Sequence, residues 1–275
     1  MDALLERITL SLADVPGVEA IVLGGSRARG TAGPASDYDI GLYFSATQPL
    51  DTRALLDVAK QLADDPDATT VTAIGEWGPW IVGGAWLGIA GHKVDLLYRE
   101  IGAVRAVIEA CRAGSITMDY QPGHAHGFCS AIWAGEIAHC RPLHDPRQII
   151  AGLKSTTLPY PAALREALIR KFQWEVLFSI ENAELAARRA ETTHIAGSIY
   201  RALACMAQVL FALNARYLIN EKGALQEAAS LPLTIPELMK RVASVWRDVG
   251  TGAYESAFTT LRSMDQNLKG LVEMA

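Results

Sequence analysis

Gly24-Gly25-Ser26-Arg27-Ala28-Arg29-Gly30 and, after a short loop, Ser36-Asp37-Tyr38-Asp39-Ile40-Gly41-Leu42-Tyr43 are the two stretches on which the reading of this chain turns. Val18 to Leu23, which follows the break at Pro16-Gly17, reads as a short buried strand running into the glycines. Gly24 and Gly25 carry no side chain, so the backbone can pass close to a phosphate. Ser26 adds a hydroxyl and an amide at a strand-to-helix turn. Tyr38 to Phe44 reads as the next strand. Residues two apart on a strand face the same way, so Asp37 and Asp39 present carboxylates on one side while Tyr38 and Ile40 face the other. Magnesium takes oxygen ligands in octahedral geometry, shared between one or two carboxylates and substrate phosphates. Taken singly, Gly-Gly-Ser is usually a flexible loop and Asp-x-Asp a solvated turn. In this order they make a phosphate end and a metal end of one site.

Outward from these stretches the first half of the chain alternates. Residues 2 to 14 read as an amphipathic helix, and Asp51 begins another that runs through Leu55, Leu56, Ala59 and Leu62. The β-branched run Thr69 to Ile74 and the segment Lys93 to Tyr98 read as strands. Gly75 to Gly91, which holds Trp77, Trp80 and Trp86 among glycines, reads as a hairpin-like excursion. Val104 to Ala113 reads as a helix, and Ile137 to Leu143 as a strand before the turn at His144-Asp145-Pro146. Beyond about residue 150 the pattern changes to long helices, which sets the expected boundary: a catalytic domain over 1–150 and a helical bundle over 151–275. Pro161 stands near the start of a helix carrying Leu164, Leu168, Phe172, Val176 and Ile180. Ile195 to Ile219 is apolar almost all round, with Gly223 placed to end it. Thr234 and Glu237 are spaced as a capping box for a third helix, and Tyr254 to Met274 supplies a fourth.

Composition narrows the function classes. Of the 275 residues half are hydrophobic and a fifth charged, enough apolar material to close cores and too little charge for a disordered chain. The net charge is −5 and no Lys/Arg cluster is present, which argues against a nucleic-acid partner. The longest apolar run, Ala202 to Leu213, lies between Arg201 and Arg216 and falls short of the roughly 18 to 20 apolar residues a membrane span needs. The start MDALLERITL carries acids early and lacks the basic start and small-residue cleavage site of a secretory signal, so the expectation is a cytoplasmic protein, without a membrane partner. Its four cysteines, Cys111, Cys129, Cys140 and Cys205, have no CxxC pairing and read as core filler. His124, His126 and Cys129 lack a fourth ligand nearby and are not read as a zinc site.

Gly25-Ser26, a gap of ten residues and then Asp37-Tyr38-Asp39-Ile40 resemble the signature of the DNA polymerase beta-like nucleotidyltransferases. The resemblance implies an α/β catalytic domain with a mixed sheet, followed here by an all-α bundle. It also implies that Ser26 touches the triphosphate, with Gly25 beside it and Arg27 a further nucleotide candidate, and that Asp37 and Asp39 hold one or two magnesium ions. These families place a third acid on a later strand, and Asp95 in His92-Lys93-Val94-Asp95-Leu96-Leu97-Tyr98 fits that position. A carboxylate inside an apolar strand is costly unless it is paired or metal-bound. Asp95 would complete the metal site or take the proton from the acceptor.

The implied reaction is in-line attack of an acceptor hydroxyl on the α-phosphorus of ATP or another nucleoside triphosphate, with loss of pyrophosphate. Arg27 and Arg29 either steer the triphosphate or face solvent. The layout resembles the antibiotic nucleotidyltransferases that adenylylate aminoglycosides and lincosamides, and a bacterial group with the same Gly-Gly-Ser-Arg-Ala-x-Gly start. That resemblance implies a small hydroxyl-bearing acceptor, an antibiotic among the options. Lys222 sits where a lysine of those enzymes reaches the nucleotide, or else it partners a helix end. Glu175 and Glu181 are further candidates for the base, and Trp77, Trp80 and Tyr120 for an acceptor pocket. An antitoxin-like enzyme with a protein acceptor and a non-catalytic nucleotide sensor are the rival readings.

Overall fold

The structure, a computed structural model, describes residues 2–275 and divides into two compact units. The first takes the chain up to Glu109, together with Asp119–Gly123 and Trp133–Pro159. The second takes Ala110–Met118, His124–Ile132 and Tyr160–Ala275. This division falls at 159/160, with two earlier segments in the second unit, beside the boundary expected at about residue 150.

The elements run α1 (Ala3–Ala13), β1 (Ala20–Leu23), α2 (Gly25–Arg29), β2 (Tyr38–Phe44), α3 (Thr52–Leu62), β3 (Gly84–Ile89), β4 (His92–Glu100) and α4 (Ile101–Arg112). After the short strands β5 (Met118–Asp119) and β6 (Phe128–Cys129), which form a two-stranded sheet, come α5 (Ala131–His139) and β7 (Arg141–His144). The remainder is helical: α6 (Ile149–Thr157), α7 (Ala162–Ala187), α8 (Thr192–Leu213), α9 (Ala224–Ala229), α10 (Leu238–Thr251) and α11 (Tyr254–Glu273).

The main sheet of the first unit is mixed, with strand order β3-β4-β2-β1-β7. β2 pairs antiparallel with β1 and parallel with β4, and β3 closes the edge as a hairpin with β4. Alternation along the strands sorts the two faces. Ile21, Leu23, Ile40, Leu42, Leu87, Val94 and Leu96 go to one side, where they join Leu5, Ile8 and Leu12 of α1 and Leu55 and Ala59 of α3 in the core. The other face carries Asp39, Gly41 and Tyr43 of β2 beside Asp95, Leu97 and Arg99 of β4. Asp2 caps α1 through Leu5 N, and Asp51 caps α3 through the amides of Arg53 and Ala54.

The second face is anchored at its far end by a buried ion pair. Arg99, 3% exposed, donates from Nε and Nη2 to the two oxygens of Glu136 on α5 at 3.0 and 2.9 Å. Burial alone would lower the guanidinium's affinity for its proton, and the adjacent Glu136 carboxylate more than offsets it. Lys154 on α6 closes α5 by donating to the carbonyls of Ile137, Ala138 and Cys140, a cation at a helix C-terminus.

In the second unit α7 and α8 pack along each other. α8 is long and apolar enough to cross a membrane by composition, and 67% of its most apolar stretch is buried inside the unit, where it serves as the core helix. It ends earlier than expected, at Leu213. Ala215 takes a left-handed φ of 51° and Arg216 N bonds back to Phe211 O, while Asn214 clasps the carbonyls of Leu210 and Leu233. Gly223 instead precedes α9. Glu237, at φ 53°, precedes α10 without capping it through its side chain, so the Thr234–Glu237 box does not form. All four cysteines are buried and free.

Candidate active site

The site is built where β1, β2 and β4 lie side by side. β1 delivers Gly24, whose amide donates to Asp39 O at 2.7 Å and so fixes the glycine turn against β2. The chain then makes the single turn of α2, capped by Gly30 at φ 72°. Gly25 is at φ 57°, and a Cβ there would lie 1.8 Å from Asp39 Oδ2. No other residue type leaves room for that carboxylate. Ser26 follows, half-buried, in the same turn.

Arg27 does not point into open space. Its Nε donates to the carbonyls of Ser36 and Asp37, its Nη2 to Ser36 O at 2.6 Å, and its guanidinium lies 3.7 Å from the Tyr38 ring centre. It therefore ties the glycine turn to the entry of β2 and orients the backbone that carries Asp37, a task that spacing alone did not reveal.

Asp39 and Asp95 are register partners on the parallel pair β2 and β4, and Trp86 of β3 is the next partner in the same row. Neighbouring strands are about 4.8 Å apart, so the two acids stand side by side on one face. Both are half-buried. Asp37 sits one residue before β2. Among the described residues no three His, Cys, Asp or Glu side chains converge as a ready ligand set. The donor chemistry nevertheless fits a hard divalent ion: carboxylate oxygens in register, with a side-chain-free wall at Gly25 against one of them. Magnesium usually completes such a set with substrate phosphates and water.

Beside the acids lies an aromatic group. Trp86 is 71% exposed, and Trp77 stacks on it at 4.4 Å. Trp77's loop is held by a distant segment: Gln121, 1% exposed, donates from Nε2 to Trp77 O and accepts the amides of Trp80 and Ile81. Trp80 donates from its indole to Asp119 and meets Trp133 edge-on. Trp77 and Trp80 thus fall in the first unit with the acids, and Tyr120 is a solvent-facing ring at 81% exposure. Trp86 was not singled out from sequence, although the pattern Gly84 to Ile89 holds the signal: Ala85, Leu87 and Ile89 make the buried parity, which leaves Trp86 on the other side.

Residues 5–101 match the family model described as a nucleotidyltransferase domain. The sheet-bearing part of the chain has the nucleotidyltransferase-domain fold. Comparison with curated proteins yields no match. A nucleotidyltransferase-like protein from Exiguobacterium sibiricum, known from a crystal structure, aligns over 95% of this chain and 74% of its own at 9% identity and a TM-score of 0.43, a likeness too loose to bear on function. The nucleotidyltransferase domain covers Gly25, Ser26, Arg27, Asp37, Asp39 and Asp95.

The remaining candidates belong to the second unit. Lys222 is exposed in the turn before α9. Glu175 on α7 accepts from Arg201 Nε and Nη2 and from Cys205, so its carboxylate is engaged in an ion pair. Glu181 is exposed. His124 lies 3.4 Å from Glu221, and Arg201 bonds the ring and carbonyl of His126.

Proposed function

We propose that the chain transfers a nucleoside monophosphate, AMP foremost, from a nucleoside triphosphate to a hydroxyl of a small acceptor and releases pyrophosphate, with one or two magnesium ions. The observation that carries the reading is the register of Asp39 with Asp95 beside the glycine turn, within a nucleotidyltransferase domain. Asp39 and Asp95, with Asp37 beside them, would hold the metal, which when bound supplies charge neutralisation around the phosphoryl group. Gly24, Gly25 and Ser26 line the phosphate side, where a bare backbone allows close approach. The acceptor oxygen forms its bond to the α-phosphorus as the bond to the β-phosphate breaks. The hydroxyl proton passes to Asp95 or, where Asp95 is a ligand, to water.

The stacked pair Trp86 and Trp77 supports a small acceptor with a flat or ring-shaped apolar side, since an exposed indole face beside the acids offers such a ring a platform. An antibiotic is one member of that class. Lys222 is assigned to the nucleotide, and the protein to the cytoplasm without nucleic-acid or membrane partners, on sequence grounds alone.

The test is pyrophosphate release from each nucleoside triphosphate with magnesium, over a panel of aminoglycosides, lincosamides and other hydroxyl-rich acceptors. Turnover with one acceptor, lowered by about a hundredfold or more in Asp39→Asn and in Asp95→Asn, is the expected result. A wild-type protein that binds no nucleoside triphosphate in the presence of magnesium overturns the proposal.

A further inference from the structure

The second unit holds a cavity of about 160 Å³ that the reading above does not use. Its walls are mixed: Leu203, Leu218 and Leu225 are apolar, Trp246 lies half-open among them, and His126, Gln208 and Glu221 are polar. His126 and Gln208 are each only 5% exposed. Such groups are normally satisfied inside a protein, because a buried donor or acceptor without a partner forfeits its bonds to water.

Here both keep unmet capacity. The side chain of Gln208 makes no hydrogen bond to the described residues although it sits in the most apolar part of α8, between Ala207 and Val209, and it lines the cavity. His126 Nδ1 lies 3.2 Å from Arg201 Nη1. A guanidinium can only donate, so Nδ1 is the acceptor and the ring proton of the neutral imidazole resides on Nε2. That Nε2 is buried without a partner. Burial and then the Arg201 charge hold the imidazole down to about 4, so the ring is neutral near pH 7.

The charged neighbours are already engaged. Glu221 accepts the His126 amide at 2.8 Å and faces His124, and Arg201 is paired with Glu175. The cavity thus offers one N–H donor, one carboxamide and apolar walls, with no unpaired charge. A dry cavity of roughly 150 Å³ admits benzene, so one ring with a small substituent fits the space.

We propose that this cavity is a binding site for a small uncharged molecule of one ring bearing a carboxamide or hydroxyl, the ring against Leu203, Leu218 and Leu225 and the polar group bonded to His126 Nε2 and the Gln208 amide. The site lies wholly in residues of the second unit and does not depend on the transfer activity.

The full chain is titrated with benzamide, phenol and benzene and followed by saturation-transfer NMR. Benzamide and phenol are expected to bind in the millimolar range or tighter, with benzene about tenfold weaker. Gln208→Leu is expected to weaken benzamide about tenfold and to strengthen benzene. Ala207→Leu, which puts bulk into the cavity, should abolish binding of all three. Failure of benzamide and phenol to bind the folded wild type, as a cavity that holds only water would show, overturns the proposal. Unchanged affinities in the two variants do so equally. Should a variant not fold, wild-type Overhauser contacts between benzamide and the Leu203 and Leu225 methyls support the site, and their absence overturns it.

Discussion

Gly25 and Asp39 share a space that admits no additional atom. With φ at 57° and a hypothetical Cβ at 1.8 Å from Asp39 Oδ2, Gly25→Ala has to displace the carboxylate or unwind the turn, on top of a left-handed backbone cost of about 1 kcal/mol. Turnover is expected to fall at least about tenfold, while the melting temperature drops by only a few degrees. At Gly24 the nearest approach of a Cβ is 3.6 Å, so Gly24→Ala should be mild in both assays. A second residue-scale prediction concerns pH. The folded protein holds His126 at about 4, below its ordinary value near 6.5. Between those values the unfolded chain binds a proton that the native one refuses, so stability falls as pH drops from 6.5 towards 4, by up to about 3 kcal/mol. Thermal melts across that window should show the loss, and His126→Gln should remove this component of it.

At this scale the acids were legible because Asp-x-Asp and the lone Asp95 break apolar strand patterns, where a carboxylate needs a reason. The role of Arg27 was not, since its partners are backbone carbonyls nine and ten residues away, and no residue type announces a carbonyl as acceptor. Trp86 was not legible, because Gly75 to Gly91 reads as one excursion and the strand parity that turns Trp86 outward begins only at Gly84.

Between residues and whole lie the elements, and here the strands differ in how openly they declare themselves. β2 was read with its observed bounds because Tyr38, Ile40, Leu42 and Phe44 alternate with Asp39, Gly41 and Tyr43. β4 is legible as Lys93 to Tyr98, but β3 is not separated from the excursion Gly75 to Gly91 because the turn joining them is Ala90-Gly91, with φ of 51° and 74°, and lacks the Asn or Asp usual at such turns. What holds it is Asp64, far back in the chain, which accepts the amides of Ala90 and Gly91 at 2.7 and 2.9 Å; those bonds keep the Asp64 carboxyl below its ordinary range. The β-branched run Thr69 to Ile74 is not a strand. Thr72 bonds Gly84 through its amide and its hydroxyl, and the side chain takes the place of a ladder that the neighbouring glycines interrupt.

The expected strand Ile137 to Leu143 is the end of α5 followed by β7, since a short apolar run cannot by itself tell helix from strand. α5 matters for the sheet through Arg99 and Glu136. Removing one member leaves the other charge buried or nearly so, and Glu136→Ala should destabilise by about 3 kcal/mol in denaturant titration. The double replacement Arg99→Met with Glu136→Leu is expected to recover most of that loss, because two apolar groups of similar size need no partner.

For the molecule as a whole, the change at about residue 150 from alternating strands and helices to long helices was visible in composition. The route of the chain was not. Residues 110–118 and 124–132 belong with the helical unit although they precede the last strand of the sheet. Short segments of this kind carry too little periodic signal to betray which core they join. A fragment ending at residue 150 is therefore expected to lack cooperative folding. It loses Lys154, which closes α5, and it strands buried Phe128 and Ile132 without residues 160–275 of their unit. Circular dichroism and limited proteolysis of that fragment against the full chain would check this, with one sharp thermal transition in the fragment as the contrary result.

The same route sets a timetable for synthesis. Ribosomes add roughly 5 to 20 residues per second, so the two early segments emerge well before residues 160–275 with which they belong. For several seconds or longer the nascent chain displays buried-type residues such as Phe128 and Cys129 with nothing yet made to cover them. Holdase chaperones that shield exposed apolar segments during translation have an interval in which to act on this chain, and expression at lower translation speed lengthens it.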